Sequence, residues 1–132
     1  MKNVNYYKNL FLIAGIWNLA AGLICWLGSI IMPDFFFKMF AMPLPSSLFP
    51  FHAMFWFILV FGIGYIIVSR DITKNHGIIT VGILGKILFF IDCIITLILK
   101  EANFMLAATG IVDLIFAVLF IKFLVKSKKL SD

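Results

Sequence analysis

Four long apolar runs, residues 10–31, 51–68, 78–99 and 105–125, leave this chain little choice of environment. Each is close to the length of about 20 residues that an α-helix needs to cross a bilayer. None alternates with a period of two, and an open sheet cannot satisfy its backbone hydrogen bonds in lipid. The runs are therefore expected to be transmembrane helices. Composition excludes a soluble alternative: 64% of the residues are hydrophobic and 13% charged, against roughly 45–50% and 25% in soluble domains. With 132 residues there is room for one domain. The expected fold is all-α, a polytopic four-helix membrane bundle with the lipid bilayer as its first partner.

Polar segments punctuate the runs. Residues 69–77, Ser-Arg-Asp-Ile-Thr-Lys-Asn-His-Gly, read as a turn, and residues 100–104 as a tighter one that makes spans three and four an antiparallel hairpin. The first connection is longer. Pro33 suits a first helical position and Asp34 the first turn of a helix, while Pro43 and Pro45 would stop it. The phenylalanines and methionines of residues 33–42 then describe a short interfacial helix lying on the membrane. The competing reading is a greasy loop packed on the bundle end.

Basic residues set the orientation. Lys2 and Lys8 precede span one, Arg70 and Lys74 lie between spans two and three, and Lys126, Lys128 and Lys129 follow span four. The other connections carry only Lys38 and Lys100, each near an acid. The positive-inside rule then places both termini and the 69–77 turn in the cytoplasm, with a bacterial inner membrane as the expected location. So consistent a bias argues against dual-topology insertion. It also accounts for the net charge of +5 without nucleic acid, for which a basic face interleaved with aromatics is missing. The N-terminal Lys2…Lys8 followed by an apolar run looks like a signal peptide, but the run continues to Ile31 without a cleavage site, so an uncleaved first span is expected.

Catalytic signatures are lacking. Cys25 and Cys93 lie inside apolar runs without a CxxC or a His/Cys cluster. No GxSxG, HExxH or phosphate-binding glycine loop occurs, and no nucleophile, base and orienting group assemble. No cofactor or metal is expected, and an enzyme is the least favoured class. His52 reads as an interfacial residue, His76 as solvated in its turn, and Arg70-Asp71 as a cap on span two. Trp17, Trp26, Trp56 and Tyr65 read as lipid-facing or packing residues, with Tyr6, Tyr7 and Tyr65 near the inner interface.

The informative pattern is a stripe of small and polar residues. In span one, Ala14, Gly15, Asn18, Ala21, Gly22, Cys25, Gly28 and Ser29 follow spacings that share one helical face. Lipid gives apolar helices no hydrophobic reason to associate, so small residues must let them approach. Span three continues the theme with Gly82, Gly85, Lys86, Phe89, Asp92, Cys93 and Thr96, and span four with Gly110, Asp113 and Ala117. A left-handed bundle with one shared internal seam is expected. At a rise of about 1.5 Å per residue, Asn18 and Lys86 lie at one depth, Asp92 and Asp113 at another, and Cys25 and Cys93 again match.

An ionisable residue at a span centre costs about 2.5–3.5 kcal/mol, so Lys86, Asp92 and Asp113 need partners. Lys86 can reach either aspartate. One ammonium against two carboxylates leaves a surplus negative charge, and one aspartate is expected to hold a proton near neutral pH. Two functions follow. Asn18, Lys86, Asp92 and Asp113 form a proton-linked site for a lipidic or small organic ligand that is bound or transported. A homodimer is expected in that case, since four short helices seldom enclose a solute path. Alternatively the chain is a structural or accessory subunit of a larger membrane complex. The charges are then ion pairs fixing helix register, and residues 35–40 meet a partner.

Phe61-Gly62-Ile63-Gly64-Tyr65, Ser69-Arg70-Asp71, Gly82-Ile83-Leu84-Gly85-Lys86 and Gly110-Ile111-Val112-Asp113-Leu114-Ile115-Phe116 resemble segments of small, uncharacterised bacterial four-span proteins. The overall plan is similar to the broad DoxX-like class of four-helix membrane proteins. The resemblance covers most of the chain in topology, and it implies a membrane bundle with no particular activity.

Overall fold

The computed structural model describes residues 3–128. Lys2 and Lys129, two of the residues that set the charge bias, lie outside that range. Five helices follow in order: α1 (Val4–Ile31), α2 (Pro33–Met39), α3 (Phe49–Arg70), α4 (His76–Ile98) and α5 (Phe104–Lys128). Among the described residues there is no strand. Helices α1, α3, α4 and α5 are each long and apolar enough to cross a membrane. They run up and down, so the two chain ends share one side, the terminal side, and α2 lies on the other. Side chains such as Ile13, Ile24, Val60, Ile63, Leu84, Leu88 and Ile115 are exposed on the outer surfaces of these four helices. Water would not tolerate that much apolar surface, and acyl chains do. The chain is an integral membrane protein, a four-span helical bundle.

Helix α1 starts six residues before the apolar run that marks it, because Val4–Asn9 is helical without being lipid-soluble. At about 1.5 Å per residue its 28 residues exceed a hydrocarbon core of about 30 Å.

The crossing helices pack as two close pairs, α1 with α3 and α4 with α5, and contact between α3 and α4 is sparse. In the first pair backbone meets backbone. A Cβ on Gly15 would lie 2.9 Å from the Gly62 carbonyl oxygen, and one on Gly62 would lie 3.0 Å from that of Gly15. Gly22 repeats the approach against Leu59 and Phe55. In the second pair Gly110 admits Cys93, 3.1 Å from where its Cβ would be. The single shared seam expected from the sequence is thus two seams, one inside each pair. Aromatic side chains explain the division, because they occupy the space between pairs that small residues would have closed. On the terminal side Phe11 of α1 stacks on Phe120 at 4.7 Å and Tyr65 of α3 on the same ring at 5.1 Å. Tyr7 meets Phe123 at 5.0 Å. With Leu10, Ala14, Val68, Ile72, Ile79 and Ile83 they form the main core, and this core plugs the terminal end.

The other end is strapped by α2. Pro33 opens it and Asp34 lies in its first turn, as the sequence predicts, but it ends at Met39, short of Pro43. Ala41 takes a left-handed φ of 56°. The Ala41 N–H donates to Lys38 and the Met42 N–H to Phe37, which is a Schellman stop. Phe36 and Phe37 are buried, their rings meeting Phe55 at 6.0 Å and Phe51 at 4.8 Å, while Phe35 faces outward. The segment is a helix, and it is packed on the bundle end. Its far end is tied down by Asn103 in the α4–α5 connection. The Asn103 side-chain amide donates to the Met39 carbonyl at 2.9 Å and its backbone N–H to Phe40 at 2.9 Å. The same side chain accepts from the Met105 N–H at 3.0 Å, capping α5.

Both remaining turns are short. Helix α4 ends in a second Schellman stop with Lys100 left-handed at φ 59°. Between α3 and α4, the Asp71 carboxylate accepts from the Thr73 hydroxyl at 2.6 Å and backbone N–H at 3.1 Å. Lys74 adds an ion pair at 3.2 Å. The Thr73 hydrogen bonds, with Lys74 behind them, pull the exposed Asp71 carboxyl down to about 2. Arg70 and Asp71 do end α3, Asp71 as its C-cap. His76 departs from the expected solvated turn. It is the first residue of α4, half-buried, with Nε2 3.1 Å from the Ile72 carbonyl oxygen and its ring against Phe123. The turn closes sooner than its polar residues indicated because Asn75, left-handed at φ 62°, starts the helix.

Candidate functional site

Two pairs joined by aromatics at one end and a strap at the other leave a cavity of about 870 Å³ between them. Its walls come from all five helices. Trp17, Ala21 and Cys25 of α1, Phe57 and Phe61 of α3 and Phe89 of α4 line it, and so do Phe36, Phe37 and Phe40 at the end beneath α2. All four residues singled out from the sequence, Asn18, Lys86, Asp92 and Asp113, line it.

Three of them meet. Lys86 projects from the buried face of α4, 4% exposed. Its ammonium donates to Asp113 Oδ1 of α5 at 2.5 Å and to Asn18 Oδ1 of α1 at 3.2 Å. The Asn18 amide in turn donates to the Ile58 carbonyl of α3 at 3.4 Å. One lysine therefore links all four crossing helices through polar contacts. Asn18 and Lys86 share a depth, as helical rise indicated. Asp92 and Asp113 match less well: Asp113 is nine residues into α5, and Asp92 is six residues before the end of α4. That difference separates the two roles. Asp113 lies within the reach of the Lys86 stem, while Asp92 stands nearer α2, exposed to the cavity. Among the described residues no hydrogen bond or ion pair engages the Asp92 carboxylate.

A buried ammonium stabilises the fold only if its desolvation is offset by close pairing. Lys86 has that pairing, and two aromatic faces as well. Its Nζ lies 5.3 Å from the Phe116 ring centre and 5.6 Å from that of Tyr65, within cation–π range. Tyr65 is a site residue that sequence reasoning missed. Only 1% exposed, it is no part of an interfacial belt. Its ring fits because Gly82 has no side chain: a Cβ there would strike the Tyr65 ring and hydroxyl. The one available signal was that Tyr65 alone of the three tyrosines falls inside an apolar run.

Gly85 also departs from expectation. Read as part of a packing seam, it is exposed, and a Cβ there would meet nothing within 4 Å. It lines the cavity. Glu101, just past α4, lines it too, at the end nearer α2. Cys25 and Cys93 are free thiols on the cavity wall. His52 is outside the cavity lining, and its Nε2 is buried without a hydrogen-bond partner among the described residues. No three His, Cys, Asp or Glu side chains among the described residues are grouped so as to hold a metal ion.

Fold and site together define a class: a four-span membrane protein with an aromatic cavity floored by a buried Lys–Asp–Asn cluster. No family model matches the chain, and no curated protein or solved structure compared with it does so either.

Proposed function

We propose that this protein binds, and carries within the membrane, a lipidic or small organic ligand held in the cavity between the two helix pairs. Asn18, Lys86 and Asp113 form its polar floor, and Asp92 is the carboxylate that meets the ligand or exchanges a proton. One observation carries this reading. The cavity, about 870 Å³, has the size and the mostly apolar, sparsely polar lining of small-molecule sites, roughly 300–1,000 Å³. Helices held together only by packing fill such spaces with side chains. Here a glycine, Gly85, faces the space with nothing against it. The excess of basic residues on the terminal side supports cytoplasmic termini in a bacterial inner membrane. A homodimer completes the proposal, covering a cavity that one bundle leaves partly open.

The second reading is a structural or accessory subunit, and the observation favouring it is that Lys86, Asp113 and Asn18 satisfy one another without any ligand. One experiment separates the two. Protein is extracted with its surrounding lipid, and the small molecules that co-purify are identified by mass spectrometry. Ligand binding predicts a compound held by the native chain and lost from Gly85→Phe, which fills the cavity. Identical co-purified molecules from native and cavity-filled protein would favour the structural reading. So would a Lys86→Met/Asp113→Leu double variant that keeps them all and changes stability alone.

A further inference from the structure

We infer that the occupant is a membrane-partitioning organic cation, which enters from the side between α3 and α4; this rests on the ligand-binding reading above. Two observations converge on it, one of charge and one of shape.

The chain as a whole is basic, with eleven Lys and Arg against six Asp and Glu. The cavity reverses that balance. Among the described residues, three of those acids line it, Asp92, Glu101 and Asp113, and a single base, Lys86. Lys86 is neutralised where it stands by Asp113. What a ligand meets is therefore the remainder, Asp92 and Glu101. An anion would have to displace Asp113 from Lys86 and leave a carboxylate unpaired in low dielectric, which is costly. A cation needs no such rearrangement. It finds Asp92 unengaged, and Phe57 and Phe61 of α3 with Phe89 of α4 line the same cavity with aromatic rings of the kind that hold organic cations.

The route follows from helical spacing. On α4, Gly82, Gly85, Phe89, Asp92 and Thr96 all line the cavity and recur every three or four residues, so they form one stripe. On α3 the corresponding stripe is Tyr65, Phe61, Phe57, Met54 and Pro50. The stripes touch at Tyr65 and Gly82, whereas three residues further along α4 a Cβ on Gly85 would meet nothing within 4 Å. On these facing stripes Met54, Phe57, Gly85 and Asp92 line the cavity and are all exposed, so the cavity is open along this stretch. At about 1.5 Å per residue, Asp92 lies about 9 Å and Gly85 about 20 Å from the α2 end of α4, a depth occupied by acyl chains and not by bulk water. An occupant that uses this opening is already dissolved in the bilayer.

The test uses two probes of matched shape and opposite charge, tetraphenylphosphonium and tetraphenylborate. Each is measured by equilibrium dialysis against the full chain in nanodiscs, with binding to empty nanodiscs subtracted. Tetraphenylphosphonium is expected to bind at least about tenfold more tightly than the borate. Asp92→Asn should weaken it about tenfold, with a smaller loss in Glu101→Gln. Gly85→Phe should abolish binding, with Ala21→Phe as the cavity-filling variant should Gly85→Phe fail to fold. If both probes bind equally, or the borate binds better, and cavity filling still removes them, the cation assignment is overturned and ligand binding stands. The same holds if Asp92→Asn leaves tetraphenylphosphonium binding unchanged. If neither probe responds to cavity filling, the assignment and the binding reading fall together.

Discussion

The closed stretch of the bundle near the chain termini and the open stretch between α3 and α4 that follows it use the same residue types with opposite results. On the terminal side Gly15, Gly62 and Gly82 admit a neighbouring backbone or the Tyr65 ring, and Phe11, Phe120 and Phe123 fill what remains. Three residues beyond Gly82 along α4, Gly85 admits nothing, and Phe57, Phe61 and Phe89 line a space without filling it. Lys86 stands at the boundary between the two. A small residue in a membrane helix is therefore only permission for close approach. Whether the space is used depends on what the facing helix carries, and at what angle it arrives.

The largest effect tests the boundary itself. Lys86→Met strands the Asp113 carboxylate and is expected to cost about 3–5 kcal/mol, whereas adding Asp113→Leu should recover most of that loss. Denaturant titration of the folded protein in micelles measures both. If single and double variants lose the same stability, Lys86 and Asp113 are not a pair.

Next come the two glycines of α4, three residues apart. Gly82→Ala drives a methyl into Tyr65 and is expected to destabilise by about 1–3 kcal/mol. Gly85→Ala faces open space and should stay within about 0.5 kcal/mol of the native protein. Equal losses at both positions would mean that the space beside Gly85 is closed as well. The strap over the α2 end is the third target. Asn103→Ala removes the tie to Met39 and the cap on α5, an expected loss of about 1–2 kcal/mol. Hydrogen exchange should rise at the backbone amide of position 103, which donates to the Phe40 carbonyl, and at the Met105 amide. The smallest effect is a gain. Lys100 holds a left-handed φ that glycine adopts without strain, so Lys100→Gly should stabilise by about 0.4–1 kcal/mol, read as a later unfolding midpoint.

Much of this was legible in the residues. Crossing a bilayer requires length and apolarity along one dimension, and runs of about 20 residues record both, so four spans and their order could be read directly. The inward face of α1 was legible because Ala14, Gly15, Asn18 and Gly22 keep helical spacing and are all buried. Other features depend on three-dimensional arrangement. A glycine that closes a seam and one that borders a cavity look alike in a sequence, which is why Gly82 and Gly85 were grouped together. Lys86 had two aspartates within the span of a long side chain. Helical depth alone placed both at one level, and the choice of Asp113 comes from how closely α5 lies against α4. Asn103 ties down residues 63 and 64 positions earlier in the chain, so nothing near it in the sequence marks its role. Tyr65 stands near the end of its apolar run, where a belt residue belongs, yet its ring lies beside Lys86.

The whole account depends on Lys86 being held at the cavity floor by Asp113. Solid-state NMR of protein in lipid bilayers, with ¹⁵N on lysine Nζ and ¹³C on aspartate carboxylates, measures that contact through dipolar dephasing. Lys74→Gln first removes the surface pair with Asp71. A strongly dephased lysine signal is then expected to persist, to vanish in Asp113→Asn, and to be unchanged in Asp92→Asn. Loss of the signal in Asp92→Asn, or its survival in Asp113→Asn, would contradict the site as described.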